Sequence, residues 1–200
     1  MTESLPDLSI IIVTYNSSAV IAQCLDSIAS HRENIQLETL VVDNGSSDDT
    51  CKLVRLLFPW AQLITGHGNI GFASGNNLGL KAARGRNFLI LNPDTEIYQG
   101  TLKTLLDYAD ANINVGMIGP HLINMDGSLQ HSTFRFPNIR QAAYGFFEKL
   151  VPVNSVENGR YHHEAYSIER EVDHILGAAI LVKRHLWTQI GGFDDKYALY

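Results

Sequence analysis

The chain has 200 residues, of which 45% are hydrophobic and 18% charged, and its formal net charge is −6. This length allows a single domain with a sizeable core, and an acidic chain without a lysine or arginine run is not suited to binding nucleic acid. The first residues, MTESLPD, are acidic and the apolar run after them is short, so we predict no signal peptide, no membrane span and a cytoplasmic location.

Short apolar runs alternate with helix-like segments through the first half of the chain. This alternation predicts parallel strands joined by right-handed helical crossovers, and therefore an α/β fold with an open, mostly parallel sheet flanked by helices. The predicted strands are Leu8–Thr14, Leu37–Asp43, Ala61–Thr65 and Asn87–Asn92, and the predicted helices are Ser17–His31, Asp49–Phe58, a segment ending near Arg84, and Thr101–Ala111.

The pattern becomes irregular in the second half. It shows no clear period between residues 125 and 170, apart from a helix-like piece at Gln141–Leu150. A strand at Glu171–Lys183 and a short helix at His185–Ile190 then restore order. We predict one domain with two unlike halves, a regular nucleotide-fold half at residues 1–119 and a less regular half at residues 120–200.

Polar side chains follow three of the four strands predicted in the first half. The three clusters are Thr14-Tyr15-Asn16, Asp43-Asn44 and Asn92-Pro93-Asp94. The carboxyl ends of parallel strands share one edge of an open sheet, and ligands bind just outside that edge. We therefore predict a binding crevice there, although each cluster by itself is also typical of a turn.

The two aspartates in these clusters suggest different chemistry. Asp43 precedes a polar, glycine-containing loop, so its carboxylate can accept hydrogen bonds from a ribose or a base imide. The alternative for Asp43 is a cap on the next helix, but residues 46–48 suit that position better. Pro93 ends its strand and directs Asp94 outward. A carboxylate there suits a divalent cation bridging two phosphates, and an aspartate-initiated turn is an equal alternative.

The run GHGNIG, residues 66–71, supports a competing interpretation. It matches GxGxxG between a strand and a helix, which is the pattern of a dinucleotide-binding loop for NAD. That fingerprint belongs to the first strand–helix turn of its unit, whereas two strand–helix pairs precede it here. A loop covering the crevice is the simpler explanation. An NAD-dependent oxidoreductase and a non-catalytic nucleotide-binding module remain the alternatives.

Six segments together resemble the family 2 glycosyltransferases of the GT-A type, especially the branch that contains rhamnosyltransferases. They follow the family's order and span nearly the whole chain: IIVTYNS, LVVDNGSSDDT, NIGFASGNNLGL, LILNPDTEI, DHILGAAILVKRHLW and GGFDDKYALY. The resemblance implies a GT-A-like fold and an inverting sugar transfer from dTDP-rhamnose or a UDP-sugar to a saccharide or lipid-linked acceptor in polysaccharide assembly. It also implies a Mg²⁺ or Mn²⁺ cofactor and at most peripheral contact with the inner face of the membrane. A homodimer is compatible with this interpretation.

The resemblance further implies roles for individual residues. Asp94 matches the last carboxylate of the family's DxD metal motif, while Asn92 stands at its first position. Asp194 and Asp195 match an acceptor-side motif and are weak candidates for the catalytic base. The residues implied to bind the nucleotide sugar are Thr14, Tyr15, Asn16, Asp43, Asn44, Gly71, Asn76, Asn77 and Asn92, and those implied on the acceptor side are Asp173, His174 and Gly177.

The chain ends at GGFDDKYALY. In the family, an aromatic run of this kind is followed by a Glu-Asp pair whose aspartate is the catalytic base. We therefore predict that the sequence is truncated at its carboxyl end and that it binds the donor but transfers sugar poorly. We also expect the aromatic residues of this run to pack against the second half of the domain.

Three further features give weaker signals. Arg135 and Arg140 could contact a diphosphate, but no spacing supports them. His174 is the histidine nearest to the predicted acceptor side, although a packed histidine is more common than a metal ligand. Cys24 and Cys51 lie in helix-like stretches and are interpreted as small buried hydrophobic residues.

Overall fold

The computed structural model describes residues 5–136, 159–161 and 166–196. The chain divides into two compact units, the first made of Met1–Ile118 with Gly177–Tyr200 and the second of Gly119–Leu176. The helix-like piece predicted at Gln141–Leu150 lies outside the described residues. The prediction of a single domain with halves at residues 1–119 and 120–200 stays a prediction.

Strands and helices alternate through the first half of the chain, as predicted. The described strands are β1 (Leu8–Thr14), β2 (Leu37–Asp43), β3 (Gln62–Ile64), β4 (Asn87–Leu91), β5 (Met117–Ile118), β6 (Leu122–Ile123), β7 (Leu129–Gln130), β8 (Thr133–Phe134), β9 (His174–Ile175) and β10 (Ala179–Lys183). The described helices are α1 (Ile21–His31), α2 (Thr50–Leu57), α3 (Gly71–Ala82), α4 (Thr101–Ala111) and α5 (Arg184–Ile190). Within the described ranges, no helix has both the length and the apolar character needed to cross a membrane.

The first unit is built on a six-stranded sheet with the order β3-β2-β1-β4-β10-β5. β1 pairs in parallel with β2 and with β4, and β2 pairs in parallel with β3. β10 is antiparallel to both β4 and β5. The α/β fold with a mostly parallel sheet is therefore confirmed. Thr14 pairs with Asp43 at the carboxyl ends of β1 and β2, so the first two polar clusters meet at one edge.

The central strands are continuous apolar runs because both of their faces are buried. Ile11, Val41 and Leu89, one from each of β1, β2 and β4, are at most 1% exposed. Helix α3 packs so closely on this sheet that a Cβ added to Gly79 would lie 2.6 Å from Cγ2 of Ile11. The missing side chain of Gly79 therefore sets the distance between α3 and β1.

Two predicted elements differ from the structure. The strand predicted at Glu171–Lys183 is two short strands in different units, because β9 pairs with β8 while β10 pairs with β4. The first helix begins at Ile21 and not at Ser17. The carbonyl of Ser17 instead accepts hydrogen bonds from the amides of Val20 and Ile21, which makes this residue part of a turn before the helix.

The second unit consists of short paired strands where it is described. β6 and β7 form an antiparallel pair, as do β8 and β9. Tyr166 supports this region, because its hydroxyl accepts hydrogen bonds from the amides of Ser132 and Thr133 at 3.2 Å each. Phe134 and Arg160 form an isolated antiparallel bridge. The described strands of this unit are two residues long, which is too short to give a period in the sequence.

Candidate active site

A crevice of about 600 Å³ lies at the carboxyl ends of β1 and β2. This volume is within the usual range for small-molecule sites. The wall is formed by the end of β1, the residue after β2, and the loop that leads into α3. The lining residues are Val13, Thr14, Tyr15, Asn44, Asn69, Ile70, Gly71 and Phe72, which include four of the residues expected to bind the nucleotide sugar.

Asp43 ends β2 and shapes the loop that follows it. Its Oδ2 accepts hydrogen bonds from the amides of Gly45 and Ser46 at 3.1 and 3.0 Å, and its Oδ1 accepts one from the Thr14 hydroxyl at 3.3 Å. Burial raises the pKa of the Asp43 carboxyl, but hydrogen bonds from Ser46, Cys51 and the two amides outweigh burial and hold this pKa below its ordinary value. Asp43 is therefore ionised although it is 4% exposed.

Asn16 joins the loop after β1 to the loop after β2. Its backbone amide donates to Oγ of Ser46 at 2.9 Å, and its Oδ1 accepts a hydrogen bond from the amide of Ser47 at 2.8 Å. Its φ angle of 50° lies in the left-handed region, which asparagine tolerates better than most residues. These contacts hold the backbone next to Tyr15, an exposed residue of the crevice wall.

Asp48 links the same two loops at a second point. One carboxylate oxygen accepts a hydrogen bond from the Ser18 amide at 3.0 Å, and the other accepts two from Thr50, at the start of α2. The Thr50 hydroxyl and the Ser18 amide hold the pKa of Asp48 well below its usual range. Asp48, rather than Asp43, supports the beginning of α2, as the sequence suggested for residues 46–48.

Asn44 connects the end of β2 to the start of α3. Its Nδ2 donates to the carbonyl of Gly71 at 3.0 Å, which fixes the orientation of the amide. Its Oδ1 is buried and has no hydrogen-bond partner, and the same is true of Oδ1 of Asn76 in α3. Buried acceptors without a partner are rare, and strain, function or an ordered ion or water accounts for them. Asn44 lines the crevice and Asn76 does not, so the crevice wall itself contains one of these two unsatisfied acceptors.

Asp94 follows β4, the strand next to β1 in the sheet, and is exposed. Burial is the main cause that raises the pKa of the Cys24 thiol to about 12, and the negative charges of Asp94 and Glu96 raise it further. Both carboxylates therefore act on the same thiol. The side chain of Asn92 forms no hydrogen bond with any described residue.

Over the described ranges, no group of three or more His, Cys, Asp or Glu side chains could hold a metal ion alone. Mg²⁺ bound together with phosphates uses only one or two protein carboxylates, so Asp94 fits such an ion.

Asn77 holds the loop that follows α5. Its Nδ2 donates to the carbonyl of Phe193 and its Oδ1 accepts a hydrogen bond from the amide of the same residue, both at 2.9 Å. The ring of Phe193 packs against Trp187 and Phe72, with centroid distances of 5.6 and 6.3 Å. Because Phe72 lines the crevice, this loop is attached to the crevice wall. Phe193 packs on Trp187, a residue of the predicted second half, and also on Phe72 of the first half. Tyr197 and Tyr200, the other aromatic residues of the terminal run, lie outside the described residues, so their expected packing stays a prediction.

The predicted acceptor-side residues fall in both units. Asp173 and His174 belong to the second unit and Gly177 to the first. Oδ2 of Asp173 accepts a hydrogen bond from the amide of Phe136 at 3.1 Å, and the ring of His174 lies 5.9 Å from that of Phe134. Gly177 is buried. Contact of these residues with an acceptor stays a prediction.

A model of the family described as Glycosyl transferase family 2 matches residues 9–168, a range that contains the whole crevice wall. The chain belongs to this family. Glycosyltransferase is therefore its enzyme class, and the resemblance seen in the six sequence segments is confirmed. This membership also makes the NAD-dependent interpretation wrong. GHGNIG follows β3, which is the edge strand of the sheet and not the first strand of a dinucleotide-binding unit.

The chain is similar to several glycosyltransferases of known name or structure. N-acetylglucosaminyl-diphospho-decaprenol L-rhamnosyltransferase of Mycobacterium tuberculosis is 28% identical over 212 residues, which cover 100% of this chain and 68% of the relative. The mannosyltransferase PcManGT from Pyrobaculum calidifontis, solved in complex with GDP-Man and Mn²⁺, superposes with a TM-score of 0.64 at 23% identity, over 96% of this chain and 49% of that chain. Residues 1–349 of S. aureus TarS in complex with UDP-GlcNAc give 0.54 at 26% identity, over 64% and 38%. These likenesses confirm the GT-A fold. The family member described here spans about half the length, or less, of these solved structures.

Proposed function

We propose that this family 2 glycosyltransferase transfers a sugar with inversion from a nucleotide-diphosphate donor to a hydroxyl of a saccharide or lipid-linked acceptor. The crevice carries the proposal, because it is a cavity of suitable volume at the sheet edge where open α/β sheets bind ligands. Two similar structures contain UDP-GlcNAc and GDP-Man, which supports a nucleotide sugar as the donor.

The donor nucleotide is proposed to bind along the crevice wall. Tyr15, Ile70 and Phe72 present aromatic and apolar surface against which a planar base can stack. The first residues of α3, Gly71 and Phe72, also line the crevice. The amino end of a helix carries partial positive charge, so this part of the wall favours a diphosphate. Uracil and thymine both fit this description, and UDP-sugars and dTDP-rhamnose remain the proposed donors.

Asp94 is proposed to hold Mg²⁺ or Mn²⁺ against the donor diphosphate, with the amide of Asn92 beside it. Such an ion, when bound, neutralises the charge that develops on the leaving diphosphate. The chain contributes one exposed carboxylate after β4 and a second, Glu96, two residues on. Because Asn92 stands where the family has a carboxylate, the chain brings less negative charge to the ion, and we expect modest affinity.

Transfer also needs a base for the acceptor hydroxyl. The acceptor oxygen attacks the anomeric carbon, the nucleoside diphosphate leaves, and the hydroxyl proton passes to a carboxylate, a step in which a positioned base contributes about 10²–10⁴-fold. Asp194 and Asp195 are exposed and lie directly after Phe193, whose ring packs against Phe72 of the crevice wall. We retain them as candidates.

The acceptor is proposed to be a lipid-linked saccharide presented at the inner face of the membrane, with the protein in the cytoplasm. The name of the Mycobacterium tuberculosis relative specifies a saccharide attached through a diphosphate to decaprenol. A carrier of this kind places the acceptor hydroxyl near a lipid surface, so at most peripheral membrane contact is required.

Calorimetric titration tests the donor site. We expect UDP or dTDP to bind with Mn²⁺ present and more weakly without it. Asp94→Ala should abolish the dependence on the metal, whereas Asp26→Ala, which removes an exposed carboxylate of α1, should retain it. Tight NADH binding without a response to UDP or dTDP would overturn the proposal. Binding of none of these ligands would likewise contradict a donor site in this crevice.

A further inference from the structure

Two arginines of the second unit converge on one tyrosine. The guanidinium carbon of Arg135 lies 5.3 Å from the ring centroid of Tyr161, and that of Arg170 lies 5.7 Å from the same centroid. Both arginines are exposed, while Tyr161 is half-buried. These three residues are called the Arg–Tyr–Arg cluster below.

Local hydrogen bonds hold the tyrosine in place. The amide of Arg135 donates to the carbonyl of Gly159 at 2.7 Å, so the segment that carries Tyr161 runs beside the end of β8. The hydroxyl of Tyr161 accepts a hydrogen bond from the amide of Asp173 at 3.3 Å. The ring is therefore fixed through its backbone and through its hydroxyl. The two guanidinium groups share a support that exists before any ligand binds, which lowers the cost of ordering them.

Across the described ranges, neither arginine of the cluster forms an ion pair with a carboxylate. Glu169 and Glu171 flank Arg170 in the sequence but are not paired with it. The carboxylate of Asp173 accepts a hydrogen bond from the amide of Phe136 instead. Cation–π attraction at an exposed site is worth about 0.5–1 kcal/mol for each arginine, so the ring holds the two guanidinium groups without neutralising their charge. Both groups therefore stay available to an anion.

We propose that the Arg–Tyr–Arg cluster binds a diphosphate group. Each guanidinium presents a planar set of N–H donors that matches two phosphate oxygens, and a diphosphate offers two linked phosphoryl groups for two such donors. This inference rests on the proposed function, which supplies two sources of the ligand. One is the diphosphate of a lipid-linked acceptor, and the other is the nucleoside diphosphate of the donor.

Calorimetry with two probes separates these sources. Geranyl diphosphate represents a lipid-linked diphosphate, UDP represents the nucleotide, and geranyl monophosphate controls for the lipid chain and a single phosphate. The test variant is Arg135→Gln with Arg170→Gln. Its matched control is Arg32→Gln with Arg55→Gln, which removes two exposed arginines of the first unit and gives the same net charge. Circular dichroism and thermal unfolding verify that each protein is folded.

We expect the test variant to bind geranyl diphosphate about tenfold more weakly than the control variant does, with UDP affinity unchanged, since charge-assisted hydrogen bonds are lost at one site only. A parallel loss of UDP affinity would also support a diphosphate site and would assign it to the nucleotide. Unchanged affinity for both probes, or equal binding of the diphosphate and the monophosphate, would overturn the proposal. If the glutamine variant does not fold, Arg135→Lys with Arg170→Lys replaces it, because this variant keeps both charges but loses the bidentate geometry. Wild-type affinity of the lysine variant for geranyl diphosphate would contradict the proposal. The donor proposal is tested separately, because it fails if UDP does not bind to the wild-type protein.

Discussion

At the scale of single residues, Asp43 and Cys51 form a contact that stabilises the loop below the crevice. Burial first, and then the hydrogen bond to Asp43 and its negative charge, raise the pKa of the Cys51 thiol to about 11. The thiol therefore stays protonated and donates to the carboxylate. With the amides of Gly45 and Ser46, it completes the set of donors around a buried charge. This set keeps the next residue, Asn44, at the crevice wall.

We predict that the stability of the fold depends on Asp43 at acid pH. The pKa of its carboxyl in the folded protein lies below its ordinary value of 3.8, so its ionised form stabilises the fold above that value, and the contribution is lost as the pH falls through the folded pKa. Asp43→Asn should lower the free energy of unfolding at neutral pH by about 1–3 kcal/mol and flatten its acid dependence. Urea unfolding at a series of pH values measures both effects. Asp195→Asn controls for the lost charge, and parallel curves for wild type and Asp43→Asn would contradict the prediction.

At the scale of elements, hydrogen bonds of Asn16 join the loop after β1 to the loop after β2. We predict that Asn16→Ala is less stable than Asn16→Gly by about 1–2 kcal/mol, because glycine adopts the φ of 50° without the steric penalty of a Cβ. Both variants lose the hydrogen bond from the Ser47 amide and should bind UDP more weakly, since only one of the two contacts beside Tyr15 remains. Urea unfolding and calorimetry test the two statements. Equal stability of the two variants would show that the backbone angle is not under strain.

The packing of α3 on the sheet gives a second prediction for an element. Gly79→Ala places a Cβ 2.6 Å from Cγ2 of Ile11 and 3.1 Å from Cγ2 of Val42, so α3 must move away from the sheet. We expect a loss of about 1–3 kcal/mol in the free energy of unfolding, as for other overpacked cores. Lys81→Ala, on the exposed side of the same helix, should leave stability near that of the wild type. A Gly79→Ala protein as stable as Lys81→Ala would disprove this close packing.

At the scale of the whole molecule, Asn77 joins parts of the chain that are 116 residues apart. Asn77→Ala removes both hydrogen bonds to the Phe193 backbone, so we predict a loss of about 1–3 kcal/mol and faster amide exchange at residues 191–196. Hydrogen exchange read by mass spectrometry gives the local effect, and urea unfolding gives the global one. Asn112→Ala is the matched control, since that side chain bonds only to the carbonyl of Tyr108 one turn earlier. Unchanged exchange at residues 191–196 would mean that Asn77 does not hold this loop.

Much of the fold of the first half could be predicted from the sequence. Strands buried on both faces require continuous apolar runs, and helices between parallel strands require a dozen or so residues, so β1, β2 and β4 and the helices after them are readable from the pattern. The described part of the second unit was less readable, because its paired strands are two residues long and leave no period. The strand predicted at Glu171–Lys183 failed for a related reason, since an apolar run does not show where the chain changes its pairing partner.

By itself, the sequence determined the order of the elements, the sheet edge that carries the polar clusters, and the six segments that identify the family. These features are local, or follow from the rule that parallel strands end at a common edge. Only the tertiary structure decided how the individual residues are used. It showed that Asp43 shapes its own loop, that Asn77 holds Phe193, and that Arg135 and Arg170 meet at Tyr161. Hydrogen-bond partners and charge neighbours depend on which distant segments are brought together, and no spacing along the chain contains that information.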